Sequence, residues 1–314
     1  MKAIVLEQTG GVENFLTKEI EKPVALNNEV LVEVKAISVN PVDFKVRAIE
    51  PVLNMIYGEK RPAILGWDIA GIVSKVGESV TKFKVGDEVF GMVNFPGAGD
   101  AYAEFVASPQ DHLAKKPANV SFEEAAATTL APLTALQILE GNVKAGDKVF
   151  IHAGSGGVGH FAIQMAKHYG AHVTTTCSAK NKDFVLSMGA DEHIDYRTQK
   201  FEEIANNIDF VLDGVGGDEL ILNSLKILKE GGTFVSIPTH EYTDEIKKAA
   251  SAKNINAINM LVKSDGKDMD TLADMLVSGT IKAHVSKIFS FDEMAEAHTA
   301  QESGRTVGKI VVKM

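Results

Sequence analysis

The spacing of apolar residues changes near residue 120, and this change separates two kinds of structure. Before it, short apolar stretches alternate with turn residues at Lys2–Leu6, Glu29–Ser38, Ile69–Val76, Glu88–Val93 and Ala101–Ala107. A period of two, interrupted by glycine-containing turns, is typical of antiparallel strands. We therefore predict a compact β-rich domain over residues 1–120.

After this point the apolar residues follow a helical period. Ser121 and Glu124 have the spacing of a capping box, which predicts a helix that continues over Ala125–Leu139. Strand-like and helix-like segments then alternate up to about residue 265. Such alternation predicts a doubly wound parallel sheet with helices on its faces.

The last part of the chain is short and has its own pattern. It contains a helical segment at Asp268–Val277 and a strand-like segment at Gly308–Val312. We predict an α/β protein in which residues 121–265 form the parallel-sheet domain and residues 266–314 return to the β-rich domain.

A glycine-rich turn separates the first strand of the alternating part from its first helix. Residues 149–159 read VFIHAGSGGVG, so that Gly154, Gly156 and Gly159 form the pattern G-x-G-x-x-G. In dinucleotide sites the first glycine makes the turn, the second admits the pyrophosphate and the third lets helix and strand approach. The helix N-terminus then presents free N–H groups to the phosphates. The flanking strand and helix favour this interpretation over an ordinary glycine loop.

The end of the next strand indicates which dinucleotide binds. NAD-selective folds carry Asp or Glu about 20 residues beyond the turn. Here residues 174–182 read TTTCSAKNK, and no carboxylate appears before Asp183. Hydroxyls and lysines suit a 2′-phosphate, so we predict NADP(H). In the alternative interpretation Lys180 and Lys182 are simply solvated residues at a helix start.

Composition limits the partners and the compartment. With 314 residues, 45% of them apolar, the chain can fill two cores. A net charge of −10 argues against non-specific binding to nucleic acid or to an anionic membrane. The single Cys177 excludes an internal disulfide framework and a multi-cysteine zinc site. Without a membrane span or a signal peptide in the pattern, we predict a cytoplasmic protein.

Four blocks of sequence together resemble one family, the zinc-free branch of the medium-chain dehydrogenase/reductases that contains quinone oxidoreductases and enone (2-alkenal) reductases. The blocks are VNPVDFKVR at 39–47, GWDIAG with VGDEVFG at 66–71 and 85–91, APLTA at 131–135, and the turn at 153–159. The resemblance implies a GroES-like catalytic domain, built from both chain ends, around an inserted Rossmann domain. It also implies NADP(H), a quinone or enone substrate, and a homodimer.

The resemblance allows the positions of zinc ligands to be compared. Zinc-dependent relatives place ligands in the block around Asn40, at the pair that corresponds to Trp67-Asp68, and near Ala131. All three positions differ here, and catalytic zinc needs about three protein ligands. We therefore predict no metal, and a reaction that needs no Lewis acid to activate an alcohol. The histidines are interpreted as scattered surface or capping residues.

Three residues are catalytic candidates by resemblance. Asn40 would donate its amide to the substrate oxygen, although a capping role before Pro41 fits the sequence equally well. Lys45 resembles the lysine with which enone reductases contact cofactor and substrate, and is otherwise a plain surface lysine. Tyr57 would border the cleft and either donate a proton or stack on a flat substrate.

The cofactor residues implied by the resemblance are spread along the chain. Tyr196 also has local support, because it leaves the carboxyl end of a predicted strand, where ligands of open α/β sheets collect. Lys182 or Asn181 is an alternative to Lys180. The full set is Lys45, Thr134, Gly154, Gly156, Gly157, Val158, Gly159, Ser178, Lys180, Tyr196, Gly214, Val215, Ile237, Pro238, Arg305 and Thr306.

Self-association and two other functions complete the sequence hypotheses. The apolar segment 255–262 is expected at the edge of the parallel sheet, where pairing with a second copy gives a homodimer. An enoyl-thioester reductase is one alternative, although it requires a cationic channel that the sequence does not indicate. A non-catalytic NADPH-binding sensor or crystallin-like protein is the other.

Overall fold

The structure is a computed structural model that describes residues 1–314. The chain divides into two compact units, one formed by Met1–Leu133 with Val262–Met314 and the other by Thr134–Leu261. The first junction lies later than the predicted boundary at residue 120, because the helix Phe122–Ala127 packs on the strands of the first unit.

The helices and strands are numbered in chain order. Up to residue 139 they are β1 Lys2–Leu6, β2 Phe15–Glu19, β3 Glu29–Val39, α1 Pro41–Ala48, α2 Glu50–Tyr57, β4 Ala63–Ile64, β5 Asp68–Val76, β6 Glu88–Met92, β7 Phe105–Pro109, β8 Leu113–Lys115, α3 Phe122–Ala127 and α4 Leu130–Leu139. Then come β9 Lys148–Ile151, α5 Gly157–His168, β10 His172–Cys177, α6 Lys182–Ser187, β11 Glu192–Asp195, α7 Phe201–Ile204, β12 Ile208–Asp213, α8 Asp218–Ile227, β13 Leu228–Ser236, α9 Asp244–Ala252 and β14 Asn256–Asn259. The last are α10 Gly266–Val277, β15 Val285–Ser290, α11 Met294–Glu302 and β16 Lys309–Lys313.

The first unit is built on a seven-stranded sheet. Its order is β15-β16-β3-β5-β6-β8, and β7 also pairs with β3. The long strand β3 is central, and its alternating side chains, such as Val30, Val32 and Val34, are buried. The C-terminal end of β3 pairs antiparallel with β16, with Ile310 opposite Val39. The last strand of the chain therefore lies directly beside the residues that precede α1.

The second unit contains a six-stranded parallel sheet in the order β11-β10-β9-β12-β13-β14. In chain order this is 3-2-1-4-5-6, the order of the dinucleotide-binding fold. Phe150, Val211 and Phe234 from three strands are fully buried in its core. The predicted combination of a β-rich domain and a doubly wound sheet is confirmed, and β14 lies at the sheet edge as expected.

The sequence prediction was wrong over 125–139, where the structure has two helices. The capping box of Ser121 and Glu124 is present and starts α3, but the helix ends at Ala127. Pro132 lacks an N–H group, and its ring opposes a continuous helix through the carbonyl of Thr128. The helices α1 and α2 were not predicted at all. No helix is long and apolar enough to cross a membrane.

Candidate functional site

In the second unit, most predicted cofactor residues lie just after the carboxyl ends of the parallel strands, on the same side of the sheet. Strand order reverses between β9 and β12, and ligands of open α/β sheets bind outside such a switch point. The glycine turn follows β9. The residues that follow the other strands are Ser178 and Lys180 after β10, Tyr196 after β11, Gly214 and Val215 after β12, and Ile237 and Pro238 after β13.

The glycine turn has little space for side chains. A Cβ atom on Gly154 would lie 2.0 Å from Thr175 Oγ1, and one on Gly159 would lie 2.3 Å from the carbonyl oxygen of Ala153. Gly156 immediately precedes α5, and no side chain caps the first turn of this helix. Its leading N–H groups therefore remain available for an anion, as a pyrophosphate requires. These residues fit the predicted dinucleotide.

The residues that follow the carboxyl ends of β10 and β11 include cations and hydroxyl groups. Ser178 is buried and Lys180 is exposed, while the amide of Asn181 donates to Ser155 Oγ at 3.0 Å and joins this loop to the glycine turn. Tyr196 is 58% exposed. The guanidinium of Arg197 lies over its ring, with Cζ 5.7 Å from the centroid. The sequence analysis did not single out Arg197, although it is the neighbour of Tyr196 in the chain.

A buried carboxylate shapes the turn after β12. Asp213 accepts hydrogen bonds from the backbone N–H groups of Val215 at 2.8 Å and Gly216 at 3.0 Å, and from the Ser236 hydroxyl at 2.8 Å. Gly216 and Gly217 both have positive φ angles, 82° and 98°, which glycine adopts readily. Asp213 thus fixes the loop that carries Gly214 and Val215, a role that the sequence did not indicate.

In the first unit Asn40, Asp68 and Lys309 form a buried polar network. Asn40 is 1% exposed, and its Nδ2 donates to Asp68 Oδ2 at 2.8 Å, while its Oδ1 accepts from Lys309 Nζ. Asp68 Oδ1 accepts from the Leu130 N–H at 3.0 Å. Lys309 Nζ is 3.9 Å from Asp68 Oδ2. Burial raises the pKa of Asp68 and lowers that of Lys309, and their mutual attraction opposes both shifts.

A second buried group adjoins this network. Asp43 accepts from the Asn40 backbone N–H at 2.6 Å, and burial raises its pKa to about 7. Tyr102 interacts with Asp43, and its hydroxyl lies 2.9 Å from Nε2 of His298. Burial, with the nearby Arg47, lowers the pKa of His298 to about 3. This histidine is therefore neutral at physiological pH.

The other predicted residues of the first unit are closer to its surface. Lys45 on α1 and Arg305 are exposed, and Thr306 is half-buried. The Tyr57 hydroxyl donates to the Ile64 carbonyl oxygen at 2.6 Å. Burial and the charges of Asp100 and Asp43 raise its pKa. Asn40 occupies the N-cap position of α1, but its side chain makes no capping hydrogen bond, because the amide is held by Asp68 and Lys309.

The donor set does not form a metal site. No group of three or more His, Cys, Asp or Glu side chains lies close enough to hold an ion. Trp67, which precedes Asp68, is fully buried, and its Nε1 donates to the Gly97 carbonyl oxygen at 2.6 Å. His160 Nδ1 lies 2.9 Å from the carbonyl oxygen of Gly156, the residue that precedes its helix α5.

Comparison with known proteins identifies the family. Residues 26–118 match the alcohol dehydrogenase GroES-like domain, and residues 188–312 match a family described as zinc-binding dehydrogenase. A 2-methylene-furan-3-one reductase from Solanum lycopersicum is 34% identical over 323 residues, which cover 99% of this chain and 79% of the relative. The chain belongs to the quinone oxidoreductase and enone reductase group of the medium-chain dehydrogenase/reductases.

Solved structures support the same assignment of this medium-chain reductase. The quinone oxidoreductase of Coxiella burnetii has a TM-score of 0.93 and 35% identity, covering 100% of this chain and 99% of that chain. The Escherichia coli quinone oxidoreductase complexed with NADPH has a TM-score of 0.89 and 28% identity, and each chain is covered completely. The predicted resemblance is thereby confirmed.

Proposed function

We propose that this protein transfers a hydride from NADPH to a quinone or to the C=C bond of an α,β-unsaturated carbonyl compound, without zinc. The observation that carries the proposal is the glycine turn at the switch point of the parallel sheet. At Gly154 and Gly159 this turn has no space for a side chain. The reductase and quinone oxidoreductase relatives support the choice of acceptor.

The proposed preference for NADPH rests on the positive charges at the carboxyl ends of β10 and β11. Lys180 and Arg197 are exposed cations beside the ends of β10 and β11. The nearest acid of the β11 end, Asp195, is engaged by the Arg197 N–H at 3.1 Å and the Thr198 hydroxyl at 3.2 Å. These cations favour a 2′-phosphate, and no carboxylate lies between the end of β10 and Lys182 to accept from a 2′-hydroxyl.

The residues of the first unit are assigned distinct roles. When bound, the reduced nicotinamide supplies a hydride to the electron-poor carbon of the acceptor. Negative charge then develops on the conjugated oxygen, and we assign the exposed Lys45 ammonium as its donor. Buried Asn40 positions α1. Because the Tyr57 hydroxyl is held by Ile64 and its pKa is raised, we assign its ring to stacking and the proton to water.

Treatment with a metal chelator is expected to leave the enzyme activity unchanged. Trp67 and Asn40 stand at two former ligand positions, and no group of donors could replace them. Purified protein should contain well under one equivalent of zinc by elemental analysis, and chelator should not alter turnover. Stoichiometric zinc that is needed for turnover contradicts this part of the proposal.

Coenzyme preference is expected to be at least about tenfold in kcat/KM for NADPH over NADH, a transition-state difference of about 1.4 kcal/mol. Lys180→Ala and Arg197→Ala should each raise KM for NADPH and leave KM for NADH unchanged. Lys200→Ala is the matched control, because Lys200 is an exposed lysine that pairs with Glu203. Equal use of both coenzymes by the unaltered protein would overturn the assignment.

We also propose a two-fold homodimer formed along β14, the free edge of the parallel sheet. Leu261, just beyond this strand, is 51% exposed. Light scattering should give twice the chain mass at micromolar concentration, and Leu261→Asp should raise the dimer dissociation constant at least about tenfold. Val277→Asp, at an apolar residue of α10 that is 63% exposed, should leave the dissociation constant unchanged. A monomeric wild-type protein refutes the proposal.

The experiment that tests the function is a steady-state screen of NADPH oxidation with quinones, alkenals, enones and enoyl thioesters. We expect turnover with quinones or enones and little oxidation of simple alcohols. Turnover with enoyl thioesters alone would favour the thioester reductase, and tight NADPH binding without any turnover would favour a sensor. A cytoplasmic location, with which the single buried Cys177 is compatible, belongs to the proposal as well.

A further inference from the structure

Lys309, the first residue of β16, is a buried cation that the proposed mechanism does not use. Its side chain is 3% exposed. The ammonium donates to the Val39 carbonyl oxygen at 3.3 Å and to Asn40 Oδ1, and lies 3.9 Å from Asp68 Oδ2. Burial of an ammonium is costly unless it is paired and hydrogen-bonded. All of its partners come from β3, the residue after β3, and the start of β5.

Through Asn40 the ammonium determines how α1 begins. The Asn40 amide lies between a cation on its oxygen and a carboxylate on its nitrogen, so a reversed amide would face like charges at both ends. The backbone N–H of the same residue donates to Asp43 in the first turn of α1. Lys45 lies in the next turn and is exposed. Lys309 therefore fixes the start of the helix that presents Lys45.

Through Asp68 the ion pair also determines how α4 begins. Asp68 Oδ1 accepts the Leu130 N–H at 3.0 Å. A carboxylate at a helix start satisfies a free N–H group and suits the helix dipole. The starts of two helices, α1 and α4, thus depend on one buried ion pair.

We propose that Lys309 is a positioning residue for the reduction, and that its ammonium, paired with Asp68, fixes Asn40 and hence the start of α1 and Lys45. The inference rests on the proposed function, because it is through Lys45 that the positioning acts. It differs from a purely structural role in one respect: the contribution of Lys309 to turnover disappears when Lys45 is absent.

The test uses two ways of removing the cation. Lys309→Met leaves Asp68 as an unpaired buried charge, whereas the double variant Asp68→Asn with Lys309→Met, the charge-free variant, removes both charges of this pair. Its new amide oxygen still accepts from the Leu130 N–H, and its new NH2 group donates to Asn40 Oδ1 once the Asn40 amide reverses. Both variants should lower kcat/KM for NADPH-dependent reduction by about 10- to 100-fold. The charge-free variant should keep a melting temperature near that of the wild type, so its loss is measured in folded protein.

A double-mutant cycle with Lys45→Ala separates positioning from general damage. In the Lys45→Ala background, removing the cation should lower kcat/KM by less than about threefold, because the two residues act as one unit. Lys116→Met is the matched control: Lys116 is 5% exposed in the same unit and pairs with Glu88 at 2.9 Å. This control should lower the melting temperature without lowering kcat/KM.

The outcomes are distinct from those of the proposed function. Wild-type kcat/KM in the charge-free variant, or losses that multiply with Lys45→Ala, would overturn the positioning role while wild-type turnover persists. Absence of turnover in the wild type would instead overturn the proposed function itself.

Discussion

Gly159→Ala is expected to raise the NADPH dissociation constant by at least about 100-fold, equivalent to about 2.8 kcal/mol. Its Cβ would lie 2.3 Å from the carbonyl oxygen of Ala153 and 2.7 Å from Gly154 Cα. Both contacts are with backbone, so α5 must move away from β9 and carry its N-terminal N–H groups out of register with the pyrophosphate. NADPH fluorescence titration measures the constant.

Two further glycine variants accompany Gly159→Ala. Gly156→Ala tests the cofactor contact without disturbing the fold, and Gly11→Ala is the control outside the turn. The nearest atom to a Cβ on Gly156 is the Ala153 carbonyl oxygen at 3.2 Å, so the fold should tolerate alanine while NADPH binding weakens. A Cβ on Gly11 would meet only the flexible Glu13 carboxylate, and that variant should bind like the wild type. Unchanged NADPH affinity in Gly159→Ala would show that the turn does not cradle the cofactor.

Lys45→Ala is expected to lower kcat/KM by about 10- to 1000-fold, the range for loss of one charge-stabilising donor. Lys45 is exposed on α1, so the loss should appear without a change in melting temperature. Initial rates at varied enone concentration, with saturating NADPH, measure the change. The fall should be mainly in kcat, because charge on the substrate oxygen develops only in the transition state.

Lys75→Ala serves as the matched control for Lys45. Lys75 is likewise exposed but lies at the far end of β5 from Asp68, about 23 Å along the strand at about 3.3 Å per residue. This variant should have wild-type kinetics. A reduction of less than about threefold in Lys45→Ala would demote Lys45 to an ordinary surface lysine.

The parts of this molecule that follow local rules could be predicted from the sequence. The glycine turn, its strand and its helix lie within about one supersecondary unit, so the spacing of Gly154, Gly156 and Gly159 was sufficient. The same holds for the capping box at Ser121. Pro132 signalled the break between α3 and α4, and Asn40-Pro41 signalled the start of α1, because proline favours the first position of a helix. Those two signals were overlooked.

Contacts between distant residues could not be predicted in this way. Lys309 and Asn40 are 269 positions apart, and nothing in either segment indicates that both are buried. A lysine at a strand start is usually solvated, and only the pairing of β16 with β3 brings this one to Asp68. For the same reason the sequence left Asn40 open between a substrate donor and a cap. Asp213 is a comparable case, since its partner Ser236 comes from the neighbouring strand.

The most direct measurement of the central claim is deuterium transfer from NADPH labelled at C4 of the nicotinamide to an enone. With the label on the transferred face, the saturated product should contain one deuterium at the β-carbon by mass spectrometry and NMR, formed in step with NADPH oxidation. A product without deuterium from either labelled face, or NADPH that binds and is not oxidised by any quinone or enone, would contradict the account.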